Sequence, residues 1–197
     1  GDNDAITNSD AGSGGIAGIT GSSLQAVVAG GVKAELNGDV FNASSVKVEA
    51  VGDNHADADA LAIAIGLLAG ATADAYAEVT ADADVEALVG STATPTVPGA
   101  DIDVWATGDN NAVANTRGAS IGAFTINVML PEARVGGGVR AQFDGDIAGG
   151  AASVLNVKAL GENTADANVR VGSFTLAGAS GAHAKAIITD QADVEAN

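Results

Sequence analysis

Acidic and amide side chains recur in this sequence as one short phrase, Gly-(Asp/Glu)-Asn. The phrase begins at residues 1, 52, 108 and 161. Each copy places a carboxylate beside a side-chain amide, and calcium binds several such oxygens where a turn gathers them. The candidate ligands are Asp2, Asn3, Asp4, Asp53, Asn54, Asp109, Asn110, Glu162 and Asn163. The competing interpretation is that Asp and Asn simply form turns here, since the sequence has no EF-hand and no nonapeptide calcium motif.

The other candidate metal ligands are scattered along the chain. Two pairs of aspartates occur in alternating stretches, where we expect them on solvated faces of strands: Asp57 with Asp59, and Asp82 with Asp84. The two histidines, His55 and His183, lie in different repeats and have no cysteine or second histidine at a zinc-binding spacing. We therefore assign no metal ligand among them.

The residue patterns of common catalytic centres are missing. No Gly-x-Ser-x-Gly phrase occurs on a strand-to-helix elbow. The glycine triplet Gly136 to Gly138 lacks the lysine and helix of a phosphate-binding loop, so we interpret it as a bend between strands. Trp105 and Tyr76 are too isolated to form a platform for stacking sugars. We predict no enzyme, no catalytic residue and no cofactor, with calcium the one ion that the acidic phrases leave open.

The charge balance narrows the classes of partner. Lys and Arg total 8 against 25 for Asp and Glu, which gives a formal charge of -17. Nucleic-acid binding needs basic clusters that this chain does not offer, and an anionic membrane would repel it. The longest apolar run, Leu61 to Ala73, is shorter than a membrane-spanning helix. The absence of cysteine, with much Gly, Ala, Thr and Asn, is typical of bacterial or archaeal surface proteins, so we expect an extracellular location.

The elements that position these residues form a tandem repeat. Successive Gly-(Asp/Glu)-Asn phrases lie 51, 56 and 53 residues apart. A second marker keeps the same register, since GGVKAELNGDV (30–40) returns as GGVRAQFDGDI (137–147). These markers divide the chain into repeat units 1–51, 52–107, 108–160 and an incomplete unit 161–197.

Each unit has the alternating pattern of β-strands. In ADADALAIAI (56–65), alanines occupy every second position, and similar alternation occurs at 71–79 and 101–107. We predict an all-β chain with about four strands per unit of 51–56 residues. Gly-Asp-Asn, Asn37-Gly38 and Asp144-Gly145 are then expected as turns with positive φ between the strands.

The apolar residues are mostly small. Hydrophobic residues make up 47% of the chain but aromatic residues only 3%, so Ala and Val must form thin layers. A unit this thin buries its apolar side chains only against neighbouring units. We therefore predict a β-solenoid-like rod, with stacked β-sandwich units as the alternative.

The last residues, DQADVEAN, fit the repeat in two ways. By spacing, Val194 aligns with the Val-x-Ala strand that starts at Val32, Val85 and Val139, which is the third strand of a unit. Alternatively, VEAN followed by the GDNDA of another copy rebuilds the phrase Val-x-Ala-x-Gly-Asp-Asn. The second alignment predicts copies that continue the array head to tail.

These stretches resemble tandem repeats of large bacterial filamentous adhesins of the leukotoxin-type and filamentous-haemagglutinin-like kind. The similarity is carried by NHADADALAIAIGLLAGATADAYAEV, VEALVGST, VRAQFDGDIAG and IDVWATGDN. It implies a secreted, surface-attached, elongated rod with a structural or adhesive function. The longer glycine segment at 11–23 and the irregular unit length depart from that pattern.

Two functions follow as expectations. The first is a structural subunit or segment of an extracellular filament, whose partners are other copies of itself. The second is an adhesive module that binds a cell-surface, glycan or calcium partner through loops such as Ser91 to Ala100. The sequon Asn42-Ala43-Ser44 is also a candidate glycosylation site. An ice-binding rod is less well supported, because regular Thr-x-Thr rows are missing.

Overall fold

A computed structural model describes residues 1–96, 99, 101–148 and 154–197 of the chain. Within these ranges the backbone forms β-strands, turns and bends and no helix, so the prediction of an all-β chain is confirmed. None of the described residues forms a helix that is long and apolar enough to cross a membrane.

Long strands of 27 to 35 residues alternate with short ones. The described strands are β1 (Asp2–Val28), β2 (Val32–Leu36), β3 (Val40–Phe41), β4 (Ser45–Val79), β5 (Val85–Val89), β6 (Pro95–Thr96), β7 (Asp101–Val135), β8 (Val139–Phe143), β9 (Val154–Ala182), β10 (Lys185–Ile188) and β11 (Val194–Ala196).

The strands pair in parallel, and equivalent residues of successive repeats lie side by side. The first sheet has the order β1-β4-β7, and β7 then pairs with β9 and β10. The short strands form a second sheet, β11-β8-β5-β2, and β3 pairs with β6. In the first sheet Asp2 is paired with Asp53, Asp53 with Asp109, and Asp109 with Glu162. The repeated phrases are therefore stacked in register.

The C-terminal residues pair as predicted by the first alignment, which was based on the spacing of the repeats. Val194 pairs with Val139, and Ala196 with Ala141, in the second sheet. The alternative alignment would have placed Val194 in the column of Val104, which belongs to β7 of the first sheet. The first of the two alignments is therefore confirmed.

The prediction that Gly-Asp-Asn forms a turn is wrong. Gly52, Asp53 and Asn54 lie inside β4, and all three pair with β7. Among the described residues other than glycine, only Asn42 has a positive φ, of 54°. Neither Asn37-Gly38 nor Asp144-Gly145 adopts one. Because pairing runs through the phrase, the strand before Gly-Asp-Asn and the strand after it form one continuous strand. The predicted number of about four strands per unit is therefore too high.

The long strands bend once at a fixed point. In β4 the buried residues are even-numbered up to Ala64 and odd-numbered from Ala69 onwards. The pairings of β4 with β1 and with β7 both skip Leu67, where this change occurs. The alanines before the bend belong to the same buried cluster as those after it, from Ala71 to Ala77. The two halves of the strand therefore face each other across a thin core.

Small side chains fill this core. The largest fully buried side chains of the described residues are Ile102, Met129, six valines and three asparagines. A second cluster joins the start of the long strands to the short strands, with Val48 and Val104 packed beside Val85 and Val139. Layers built from Ala and Val approach one another closely, as the composition predicted.

Glycine is required where the two sheets approach. A Cβ atom on Gly108 would lie 2.6 Å from Val139 Cγ2. The same distance separates a Cβ on Gly52 from Val85 Cγ2, and one on Gly161 from Val194 Cγ2. The first residue of the repeated phrase is therefore the point at which the long strand contacts the second sheet.

We expect Gly108→Ala to destabilise the protein by about 1–3 kcal/mol, because the added methyl group must displace Val139. Guanidinium denaturation followed by circular dichroism would measure this as a lower midpoint. Gly172→Ala is the matched control, since a Cβ there meets nothing within 4 Å. Equal midpoints for the two variants would contradict the close approach of the sheets at Gly108.

Candidate functional site

The asparagines of the repeated phrase form a row of hydrogen-bonded amides, which we call the asparagine ladder. It consists of Asn3, Asn54, Asn110 and Asn163. Asn3 Nδ2 donates to Asn54 Oδ1 at 2.7 Å, and Asn54 Nδ2 donates to Asn110 Oδ1 at 2.7 Å. Asn110 Nδ2 then donates to Asn163 Oδ1 at 2.9 Å. All the bonds have the same direction, so the ladder is polar along the stacking axis.

Each amide nitrogen of the ladder also donates to a backbone carbonyl in the connection that leads to the second sheet. The four acceptors, at 2.8 to 2.9 Å, are the carbonyl oxygens of Gly30, Ala83, Gly137 and Ala192. Asn54 and Asn110 are completely buried. A buried amide with all its partners stabilises the fold, whereas an unpaired one costs about 1–3 kcal/mol. The ladder therefore fixes the long strands to the connections that precede the short ones.

The carboxylates of the phrase lie on the other side of the strand. Asp2, Asp53, Asp109 and Glu162 are exposed, as is Asp4. Alternate residues of a strand point to opposite faces, so these carboxylates do not contact the ladder amides. The structure therefore does not bring carboxylates and amides together as expected of a calcium-binding turn. The described residues contain no group of three or more His, Cys, Asp or Glu side chains that could hold a metal ion. Calcium binding stays a prediction, restricted to the row of carboxylates.

Asp57 and Asp59 lie half-buried on β4. Arg117 Nη2 donates to both carboxylate oxygens of Asp59, at 2.9 and 2.8 Å. We predicted that this pair would be solvated, and for Asp59 the outcome is instead an ion pair between neighbouring repeats. Pairs on a surface of this kind contribute about 0–1 kcal/mol.

The prediction that Asp82 and Asp84 lie on a strand is wrong. Both belong to the connection between β4 and β5. Asp84 Oδ1 accepts a hydrogen bond of 2.6 Å from the backbone N–H of Gly138, in the equivalent connection of the next repeat. The aspartate thus satisfies a backbone N–H of a buried glycine, a role that depends on the stacking of the two connections.

The two histidines lie in different parts of the structure. His55 is half-buried on β4 before the bend, where its neighbours in register are Asp4 and Asn111. His183 is exposed between β9 and β10, and its backbone N–H donates to Met129 O at 3.0 Å. Their placement on opposite sides of the bend does not form a shared site.

The glycine triplet forms the bend that the sequence predicted. Gly136, Gly137 and Gly138 are buried between β7 and β8. A Cβ on Gly137 would lie 2.7 Å from Ala83 O. The triplet therefore lets adjacent connections pack against each other.

The two large aromatic residues are well separated along the long strands. Trp105 lies near the start of β7, with Lys47 Nζ 4.6 Å from its ring centroid. Tyr76 lies after the bend of β4. Burial raises the pKa of the Tyr76 phenol, and a hydrogen bond to Arg134 acts in the opposite direction. The two rings therefore lie in different halves of the long strands, one before and one after the bend.

The remaining candidates lie in the turns. Asn42 of the sequon is exposed and has a left-handed backbone conformation. The loop Ser91 to Ala100 includes β6, but residues 97, 98 and 100 lie outside the described residues. Glycosylation and adhesive contacts of these turns stay predictions.

The role of the ladder was not predicted from the sequence, although the alternating pattern contained a signal for it. Asn54 has the same parity as Ala56 and Ala58, so an uninterrupted strand places all three on the buried face. The preference of Gly, Asp and Asn for turns concealed this continuity.

Comparisons of the chain with protein-family models, with curated proteins and with solved structures found no match. The geometry of the ladder and of the stacked strands is therefore the basis for inferring function.

We expect Asn110→Ala to destabilise the protein by about 3 kcal/mol, because it leaves Gly137 O, Asn163 Oδ1 and one N–H of Asn54 without partners. The control is Asn115→Ala, since Asn115 accepts a bond of 3.2 Å from Asn168 at the surface of the same strand. Denaturation midpoints measure both changes. A similar loss in the two variants would show that the ladder has no special role.

We expect Asn110→Asp to make stability depend on pH. The new carboxylate would be buried next to Gly137 O and Asn163 Oδ1, both acceptors, so its pKa in the folded state would exceed the unfolded value of about 3.9. A raised pKa favours folding below the unfolded pKa, and this contribution is lost as the pH rises through the folded pKa. The denaturation midpoint of Asn110→Asp should therefore lie further below that of the unsubstituted protein at about pH 7 than at about pH 4. A difference that is constant with pH would contradict burial of this position.

Proposed function

We propose that this chain is a structural subunit or segment of an extracellular filament, built as a β-solenoid-like rod that extends end to end. The observation that carries the proposal is the in-register parallel pairing of equivalent residues in successive repeats. Such stacking is open-ended, because each added layer presents the same surface as the one before it. The facing halves of each long strand favour a solenoid over separate sandwich units.

Open strand edges supply the contacts for extension. At one end, among the strands that the structure describes, β1 pairs only with β4, and β2 only with β5. At the other end, β9, β10 and β11 are the outermost strands of their sheets. Edges of this kind carry unpaired backbone N–H and C=O groups that bind a further strand. A parallel layer in the same register would satisfy them.

The asparagine ladder is complementary at its two ends. No hydrogen bond of the described residues reaches Asn3 Oδ1, which is an acceptor at the β1 end. At the β9 end, Asn163 Nδ2 donates only to Ala192 O and keeps a second hydrogen. A donor at one end and an acceptor at the other support head-to-tail growth, in which the next layer comes from another copy or from further repeats of a longer chain.

The rest of the molecule is consistent with a mechanical role. The chain has 25 acidic and 8 basic residues. At neutral pH the repulsion between these negative charges keeps rods soluble and separate from one another. A chain without cysteine folds without disulfides, so its stability does not depend on the redox state outside the cell. The resemblance to filamentous adhesins supports a location at the cell surface.

We expect the purified chain to form uniform filaments at neutral pH, visible by electron microscopy both with EDTA and with calcium.

We expect Ile6→Pro to prevent filament formation. Asp53 N–H donates to Gly1 O at 3.0 Å, so odd-numbered backbone groups at the start of β1 face β4. The N–H of Ile6 therefore faces the open edge, and proline removes it without breaking an internal bond.

Ile6→Thr is the matched control, because it removes the same exposed side chain but keeps the N–H. It should form filaments as the unsubstituted chain does. Dispersed short rods of the unsubstituted chain in both solutions would exclude self-assembly and leave a segment of a longer rod. Filaments that need calcium would instead assign the carboxylate row as its ligands.

A further inference from the structure

The bend of the long strands lies in the part of the surface that has no charges. Residues 11–32, 60–73, 118–131 and 171–182 contain no Asp, Glu, Lys or Arg, although the chain has 25 acidic and 8 basic residues. These stretches are stacked next to each other by the register of the first sheet. They form one continuous uncharged region on a strongly acidic molecule.

Large apolar side chains are exposed in this region, on the outer side of the strands just after the bend. The exposed fractions are 79% for Ile19, 51% for Leu68, 58% for Phe124 and 63% for Ile126. They border an open groove of 590 Å³ whose floor includes Gly70. We call these four side chains and the small residues between them the apolar face.

Large and small residues alternate along the column of Ile19, whereas in the neighbouring column of the apolar face Leu68 pairs with Phe124. In register, Ile19 pairs with Gly70, Gly70 with Ile126, and Ile126 with Ala179. Adjacent strands are about 4.8 Å apart, so the two isoleucines project about 10 Å from each other with a gap between them. A Cβ on Gly70 would lie 3.7 Å from Ile126 O and 3.8 Å from Ile19 Cγ1, which is ordinary van der Waals contact, and the open groove lies above it.

We propose that the apolar face binds the same face of a second copy of this chain. A two-fold axis through the face places the isoleucines of one copy in the gaps at Gly70 and Ala179 of the other. Interdigitated apolar side chains between two sheets form a dry interface of the steric-zipper type. Contact through identical surfaces closes at two copies.

The charge distribution favours a second copy of the chain as the partner and the apolar face as the place of contact. Two molecules with a formal charge of -17 repel each other at most orientations. The apolar face is where they approach without bringing carboxylates together. Regular gaps between side chains fit a surface with the same repeat, whereas a lipid bilayer has no such repeat and would gain only from additional apolar volume.

This lateral contact is independent of end-to-end extension. Lateral pairing stops at the dimer, whereas end-to-end growth gives an open series of masses. Sedimentation velocity of the full-length chain carrying Ile6→Pro, in which the growing edge is blocked, therefore measures the lateral contact separately. We expect a monomer–dimer equilibrium that strengthens when salt is raised, because screening reduces the repulsion between the acidic surfaces.

Gly70→Leu is the decisive variant. It adds apolar surface but fills the gap that receives the partner's isoleucine, so we expect at least tenfold weaker dimerisation. Ile126→Glu should also weaken it at least tenfold, by placing charge in the contact. Ile65→Glu is the control, since Ile65 is 50% exposed on the outer side of β4 before the bend and should leave dimerisation unchanged. Circular dichroism checks that each variant keeps the β-sheet signal.

Three results would overturn the proposal. The first is a monomer at all concentrations and salt conditions. The second is stronger association of Gly70→Leu, which would indicate non-specific apolar adhesion. The third is flotation of the chain with phosphatidylcholine vesicles, increased by Gly70→Leu and without a dimer in solution, which would assign the face to a lipid surface.

Discussion

In-register parallel stacking is the constraint on which the rest of this structure depends. Equivalent residues of successive repeats lie about 4.8 Å apart, so each side chain packs against the side chains at the same position of the neighbouring repeats. The inward columns therefore hold small residues that stack in a thin layer. Alanine satisfies this condition from Ala56 to Ala64, where every inward residue is completely buried. Valine satisfies it in the short strands, and glycine where Gly108 approaches Val139.

The same constraint explains why asparagine occupies the buried column next to the connections. A side-chain amide has a donor and an acceptor, so a column of amides is hydrogen-bonded along its whole length. A column of ionised carboxylates has only acceptors and would repel itself. Asn54 also donates to Ala83 O, so the ladder joins the long strands to the connections as well as joining neighbouring repeats. On the outer side, where water solvates the charges, the column instead consists of the exposed carboxylates of Asp53, Asp109 and Glu162.

The surface has two regions with different consequences for association. The open edges lie across the stacking axis and continue the hydrogen-bonding pattern of the strands, so the proposed growth at them would add further layers along that axis. The apolar face lies parallel to that axis, where Ile19, Gly70 and Ile126 alternate. The proposed contacts there would join two copies side by side. Between these regions the acidic surface opposes other contacts.

The sequence by itself determined the all-β class, the stacked repeats and the thin core of small residues. Alternation and spacing are visible in one dimension and follow directly from strand geometry. Only the tertiary structure decided that Gly52-Asp53-Asn54 continues a strand, that the long strands bend at Leu67, and that Asp82 and Asp84 lie in a connection. Asp, Asn and Gly favour turns when they are considered locally. Hydrogen bonds from Asn54 to Asn110 and to Ala83, 56 and 29 residues away, exist only when the repeats are stacked, and they overcome that local preference.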